Sequence, residues 1–123
     1  MIHGTFAVGR GAVIPLLIRG PDGSNLDVDA VIDTGFSGYM TLPASLAEAL
    51  GLIFKSGGTL VLADGTHRDF DVYIVEIAWD GQWRTVLASA LGDQVLVGMR
   101  MIDGHRLLIE AVPEGPVEIA PLP

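Results

Sequence analysis

Val31-Ile32-Asp33-Thr34-Gly35-Phe36-Ser37-Gly38 is the stretch on which the reading of this chain turns. An apolar run ends abruptly in an acid, a hydroxyl residue and a glycine. A strand that stops at Ile32 delivers one carboxylate to a tight turn. Thr34 places a hydroxyl close to the backbone. Gly35 and Gly38 let the chain bend sharply and approach a partner or ligand closely. Upstream, the pattern alternates: Leu26, Val28, Ala30 and Ile32 fall on one strand face, and Asp27, Asp29 and Val31 on the other.

Further out, most of the chain reads as strand. Ile2 to Val8 and Ala12 to Arg19 are strand patterns joined by Gly9-Arg10-Gly11, and Gly20-Pro21-Asp22-Gly23-Ser24 is a turn. Tyr39 to Leu42 is a short return strand. Pro43 to Gly51 is the one clear helix, with Pro43 suited to its first turn, Gly51 to its end, and Leu46 and Leu50 forming a buried stripe with Leu42. Leu60 to Ala63 and Asp69 to Ala78 flank a hairpin tip at Ala63-Asp64-Gly65-Thr66. Asp80-Gly81 marks another hairpin, leading into Trp83 to Ala88. Val95 to Val97 is a buried strand, Met99 to Ile102 a helical turn, and Arg106 to Glu110 and Val117 to Ile119 close the series, with Pro121-Leu122-Pro123 as a frayed tail. Four Asp-Gly dipeptides beside one short helix predict an all-β hairpin architecture. No repeat, linker or low-complexity segment is visible, so residues 1–123 are expected to form a single domain.

Three of these elements together resemble the retropepsin-like aspartic proteases, the single-lobe group that includes retroviral proteases and bacterial relatives. They are Val31 to Gly38, the hairpin around Ala63-Asp64-Gly65-Thr66 some 30 residues downstream, where that family keeps its flap, and Val95-Leu96-Val97-Gly98-Met99, which looks like the family's apolar-apolar-Gly element before its C-terminal helix. About 110 residues, roughly Ile2 to Ile119, follow the family plan. The chain departs from it in having a single glycine, Gly65, at the flap tip, in the Met99-Arg100-Met101-Ile102 that follows Gly98, and in continuing past its final apolar strand.

The resemblance implies a closed β-barrel lobe with one or two short helices, paired with a second copy about a two-fold axis. It implies an aspartic endopeptidase with Asp33, Thr34 and Gly35 as catalytic residues, and a substrate site drawn from Ser37, Ala63, Asp64, Gly65, Thr66, Val97 and Gly98. The chemistry explains why two copies are needed. Two facing carboxylates a few ångströms apart cannot both ionise readily, so one proton is shared. The ionised member draws a proton from water while the protonated member hydrogen-bonds the scissile carbonyl. Each chain carries the motif once. The implied partners are a peptide or protein substrate and a second copy of the chain, and no cofactor is required.

Composition sets further bounds. Half of the residues are hydrophobic, an apolar balance for so small a domain that a subunit interface accounts for. Lys55 and six Arg oppose fifteen acids, for a net charge of −8, which makes nucleic acid a poor partner. There is no cysteine, so disulfides, thiolate catalysis and Cys-based zinc sites are excluded. The start, Met1 to Phe6, lacks a basic flank and a long apolar stretch, and no aliphatic run is long enough for a bilayer. A cytoplasmic protein without a membrane partner is the expectation.

Other candidates have plainer readings. His3, His67 and His105 show no ligand spacing, so no metal site is expected. Asp27 and Asp29 suit the outward face of an edge strand. Ser37 has no nearby base and is read as a loop hydroxyl able to bond Asp33. Trp79 and Trp83, either side of Asp80-Gly81, suggest a cross-strand aromatic pair. Two other functions stay open at this level: a non-catalytic dimer of the same fold that binds peptides or partner proteins, and a metal-dependent hydrolase using Asp27, Asp29 and Asp33.

Overall fold

A computed structural model describes residues 1–123. The chain forms ten strands and two short helices: β1 (Ile2–Ala7), β2 (Gly11–Arg19), β3 (Asn25–Ile32), β4 (Met40–Leu42), α1 (Ala44–Ala49), β5 (Ile53–Val61), β6 (His67–Trp79), β7 (Gln82–Ala90), β8 (Val95–Val97), α2 (Met99–Ile102), β9 (His105–Ile109) and β10 (Pro116–Pro121). All strands belong to one sheet, ordered β5-β6-β7-β4-β8-β3-β2-β1-β10-β9. An extra pairing of Leu17–Arg19 with Glu76–Ala78 joins β2 to β6. The paired strands β2, β3, β8, β4, β7 and β6 therefore form a circuit that returns on itself, while β5 and β9 end the sheet.

Tight turns create most of the neighbours. Asp80 and Gly81 both have positive φ, 51° and 82°, which a two-residue hairpin of the strand-matching type requires. Two pairs are parallel rather than hairpin partners: β3 with β8, and β4 with β7. The first places Ile32 opposite Val97, so the strand that ends at Asp33 is flanked by the strand that ends at Gly98.

The core is built from this circuit together with α2 and β10. Ile14 and Ile18 of β2, Met40 and Leu42 of β4, Val75 and Ile77 of β6, Val97 of β8, Met101 of α2, and Val117 and Ile119 of β10 are fully or almost fully buried. The alternation read over Leu26 to Ile32 is realised only in part, because Leu26 is exposed and Ala30, Val31 and Ile32 are all buried; a full alternation appears in β2, where Ala12, Ile14, Leu16 and Ile18 are buried and the residues between them are not. Helix α1 ends at a glycine, as its sequence predicts. Gly51 takes φ 61°, its N–H bonds to Glu48, and the N–H of Leu52 reaches Ala47, so two terminal carbonyls are satisfied. Leu42 and Leu50 are buried in the core as read from the sequence, Leu46 packs against it half-buried, and Ala47 joins them as a fully buried residue of the helix.

Several sequence expectations change. β3 lies between β8 and β2, not at a sheet edge, although β8 covers only Ala30–Ile32 and leaves the Asp27–Asp29 half unpaired on that side. Trp79 and Trp83 do not face each other. The two-residue turn sets Trp79 opposite Gln82 and Trp83 opposite Ala78, so the rings point to opposite faces of the ribbon. Trp79 is buried and donates to His105, whereas Trp83 lies under the Arg19 guanidinium at 3.8 Å. β5 begins at Ile53, well before Leu60, because Gly57 and Gly58 continue the strand instead of breaking it. Pro121 belongs to β10 opposite His105, and the Leu122 N–H bonds to Gly104, so the tail is held rather than frayed.

Candidate active site

Asp33 stands where β3 leaves the core. Its N–H donates to the Val97 carbonyl at 2.9 Å, extending the β3–β8 ladder by one bond. Beyond it the chain turns: Phe36 N–H bonds back to the Asp33 carbonyl, and Gly35 N–H donates to Asp33 Oδ1 at 2.9 Å. This short bond aims the carboxylate and leaves Oδ2 without a protein partner in the single chain. A Cβ on Gly35 would lie only 3.3 Å from Oδ1. Ser37 does not bond to Asp33; the amide of Gly35 takes that role. Thr34, Gly35 and Ser37 are exposed, and Asp33 is half-buried.

The loop is braced from β8 and α2. Gly98 N–H donates to the Tyr39 carbonyl, Met99 N–H to that of Phe36, and Arg100 N–H to that of Gly38. Gly98 itself has no room for a side chain, since a Cβ there would meet the Gly38 carbonyl at 2.2 Å and the Phe36 ring at 2.6 Å. Val97 is fully buried and meets the loop through its backbone carbonyl. Both residues thus touch the Asp33 loop directly, at the positions that hold its shape.

Beside the loop is a depression of about 450 Å³. Phe36, Gly38 and Tyr39 of the loop form one wall, continued by Met40 and Arg100. Ser56 and Gly58 of β5 with Phe70 and Val72 of β6 form the wall opposite in sequence, and Leu87 and Ser89 of β7 complete it. The cross-strand pair Gly58–Phe70 shapes this wall: the Phe70 ring lies where a Cβ of residue 58 would be, at 2.3 Å. The sequence reading named none of Phe36, Tyr39, Gly58, Phe70 or Arg100 as site residues. Gly57-Gly58 inside an apolar–polar ribbon is the one local signal of close approach, and Phe70 only becomes its partner through the β5–β6 register.

The hairpin tip stands apart from this depression. Ala63, Asp64, Gly65 and Thr66 are all exposed and do not line it. The tip is well defined: Thr66 Oγ1 and N–H both donate to Asp64 Oδ1, at 2.6 and 2.9 Å, and Gly65 has φ 84°. The Thr66 hydroxyl, and then its amide, hold the Asp64 carboxyl below the usual aspartate range. A second concavity, about 420 Å³, lies on β1–β3 around His3, Thr5, Arg10 and Asp29 and shares no residue with the first. Asp27, Asp29 and Asp33 do not converge into a group of three acids.

No protein-family model matches this sequence, and no curated protein matches it. Among solved structures, the EIAV protease complexed with the inhibitor HBY-793 is similar to this chain, with a TM-score of 0.49 and 17% identity. That match covers 73% of this chain and 83% of the viral one.

Proposed function

We propose that this chain is one half of a homodimeric aspartic endopeptidase of the retropepsin-like type. The observation that carries the reading is the Asp33-Thr34-Gly35 turn. It presents a carboxylate aimed by a backbone amide, with two exposed neighbours, beside a depression walled by a long hairpin.

In this reading Asp33 of each chain supplies one carboxylate of a dyad. Thr34 and Gly35 of the two loops pack against each other and fix the separation. One carboxylate takes a proton from water as it attacks, and the other gives its proton to the carbonyl oxygen. A peptide lies extended along the groove and pairs its backbone with strand edges. Ser37 borders it, and the Ala63–Thr66 tip folds over it to exclude water. Val97 and Gly98 act on substrate through the loop they brace. The mechanism uses no cofactor.

The test is cleavage of a diverse peptide mixture between pH 3 and 9, beside an Asp33→Asn control. Asn keeps the shape of Asp and its bond from Gly35 but cannot exchange the proton. Activity should vanish while the fold and dimer remain. Cleavage by the purified Asn variant would overturn the assignment. A rate that climbs steadily into alkali would do so too, because a dyad that shares one proton works in acid.

A further inference from the structure

Arg100 is the single charged residue lining the depression beside Asp33. The chain carries fifteen acids against seven Lys and Arg, yet no carboxylate pairs with this guanidinium; the ion pairs of the fold use the N-terminus, Arg10 and Arg19. Arg100 is exposed, but it is held in place at both ends. Its N–H is tied to the Gly38 carbonyl, and its guanidinium lies 5.3 Å from the centre of the Tyr39 ring, another lining residue. The aromatic face restrains the cation by electrostatic attraction while leaving its hydrogen-bond donors unused. Phe36, Phe70 and Leu87 make the rest of the wall apolar. The site therefore combines a greasy surface with one oriented, unneutralised fork at its side.

An extended peptide offers side chains of one face at every second residue. A large apolar side chain seated among Phe36, Phe70 and Leu87 places a residue on the same peptide face within reach of the rim. We propose that Arg100 makes this site selective for peptides that carry a glutamate or aspartate next along that face from the apolar residue. The proposal rests on the endopeptidase reading and names its substrate class: apolar peptides with an acidic flank. The surrounding charge of −8 repels acidic peptides in general. Acceptance of one thus depends on a local, bidentate contact of the kind a guanidinium makes with a carboxylate. A free carboxylate at a peptide C-terminus presents the same chemistry, and the experiment separates the two.

The probes are fluorescein-labelled octapeptides with an apolar centre, C-terminally amidated, differing only in Glu, Gln or Lys scanned along the chain. A further set has Gln throughout and a free C-terminal carboxylate. Binding is measured by anisotropy on the Asp33→Asn variant at about pH 6, where Glu is ionised, so the readout does not require catalysis. Glu at one scanned position should bind roughly tenfold tighter than Gln, the size expected for one charged hydrogen-bonded contact. Arg100→Ala in that background should erase the difference, Arg100→Lys should restore part of it, and Arg100→Glu should turn the preference to Lys. Thermal melts of the variants check that α2 and the loop remain folded. Equal binding of Glu and Gln peptides overturns the proposal. So does a Glu preference unchanged by Arg100→Ala, or an Arg100-dependent gain that appears only in the all-Gln peptides with a free C-terminal carboxylate. Cleavage by the wild-type chain is scored separately: its absence, with the Arg100-dependent preference intact, would sink the peptidase reading and leave the subsite standing.

Discussion

Asp33 and Asp64 are both aspartates of turns, and both accept from an amide two residues on, yet they sit in different settings. Asp33 follows the buried end of β3 and keeps Oδ2 without a protein partner. Asp64 spends its oxygen on Thr66, and its carboxyl is held below the usual range. The sign of the linkage follows. A group whose folded pKa is depressed adds stability that is complete above its unfolded value and is lost as pH falls through the folded one. The Asp64 turn should therefore persist through the acid range in which a shared-proton dyad works and open only below the ordinary aspartate range. Amide exchange at Thr66, followed from pH 6 to pH 2, checks this; Asp64→Ala should raise that exchange near pH 6, and the difference from wild type should vanish at the acid end, where the Asp64 carboxyl is protonated. Gly98 tests the loop from behind. Gly98→Ala drives a Cβ into the Gly38 carbonyl and Phe36 ring, so it should cost about 2–3 kcal/mol in denaturant unfolding. Whatever activity survives should be reduced, since Met99 and Arg100 hold the Asp33 loop from the same segment.

At the scale of elements, the β2–β6 pairing is the contact that makes the strand circuit return on itself, and it is only three residues long. Arg19 reinforces it twice. Its guanidinium bonds to Glu76 at 2.7 Å across the two strands and lies over Trp83 of β7 at 3.8 Å. Both groups are partly exposed, so solvent screens the ion pair and its worth is modest. Arg19→Ala should lower stability by about 1 kcal/mol, the sum of a weak ion pair and a stacked cation. Arg19→Lys, which keeps the charge but not the planar stack, should recover only part of it. Denaturant midpoints of the two variants measure the split. The β5–β6 hairpin is of another kind. Its outer half buries almost nothing, and Leu60, Val61 and Leu62 near its tip are exposed. A ribbon with so few buried contacts belongs to the low-stability end of a fold.

For the whole molecule, the exposed apolar residues matter. Fifteen large hydrophobic side chains are exposed in the single chain, among them Val8, Ile53, Phe54, Val61 and Val112. With half the sequence hydrophobic, the proposed pairing with a second copy would cover part of this surface. A dyad shared between chains has a distinctive signature. When wild-type protein is mixed and equilibrated with Asp33→Asn, activity should fall as the square of the wild-type fraction, because every mixed pair has lost one carboxylate. A linear fall would mean that each chain works alone. Sedimentation of the same mixtures should show a constant dimer content.

What could be read from the sequence alone was whatever depends on a few neighbouring residues. Val31 to Gly38 marked a strand, a turn and a carboxylate, because an apolar run, an Asp and two glycines restrict the backbone within eight positions. The Asp-Gly turns located the hairpins for the same reason, since positive φ is a local demand. The helix end at Gly51 was equally legible. Tertiary structure decided what lies across the sheet. No local rule pairs β3 with β8 in parallel; only the family resemblance set Val95 to Gly98 beside the Asp33 loop, and the bond from the Asp33 amide to the Val97 carbonyl came from the packing. Gly57-Gly58 gave no reading by itself, and the β5–β6 register set the Phe70 ring over Gly58. Trp79 and Trp83 looked like a pair until a two-residue turn set them on opposite faces. Arg100 was an ordinary surface arginine until packing brought it beside Tyr39 at the rim of a depression built from five separate segments. The physical reason is common to all of these. Turn chemistry acts over a few bonds, whereas a site wall is assembled by burial and register between residues far apart in the chain, and those are settled only when the whole core packs.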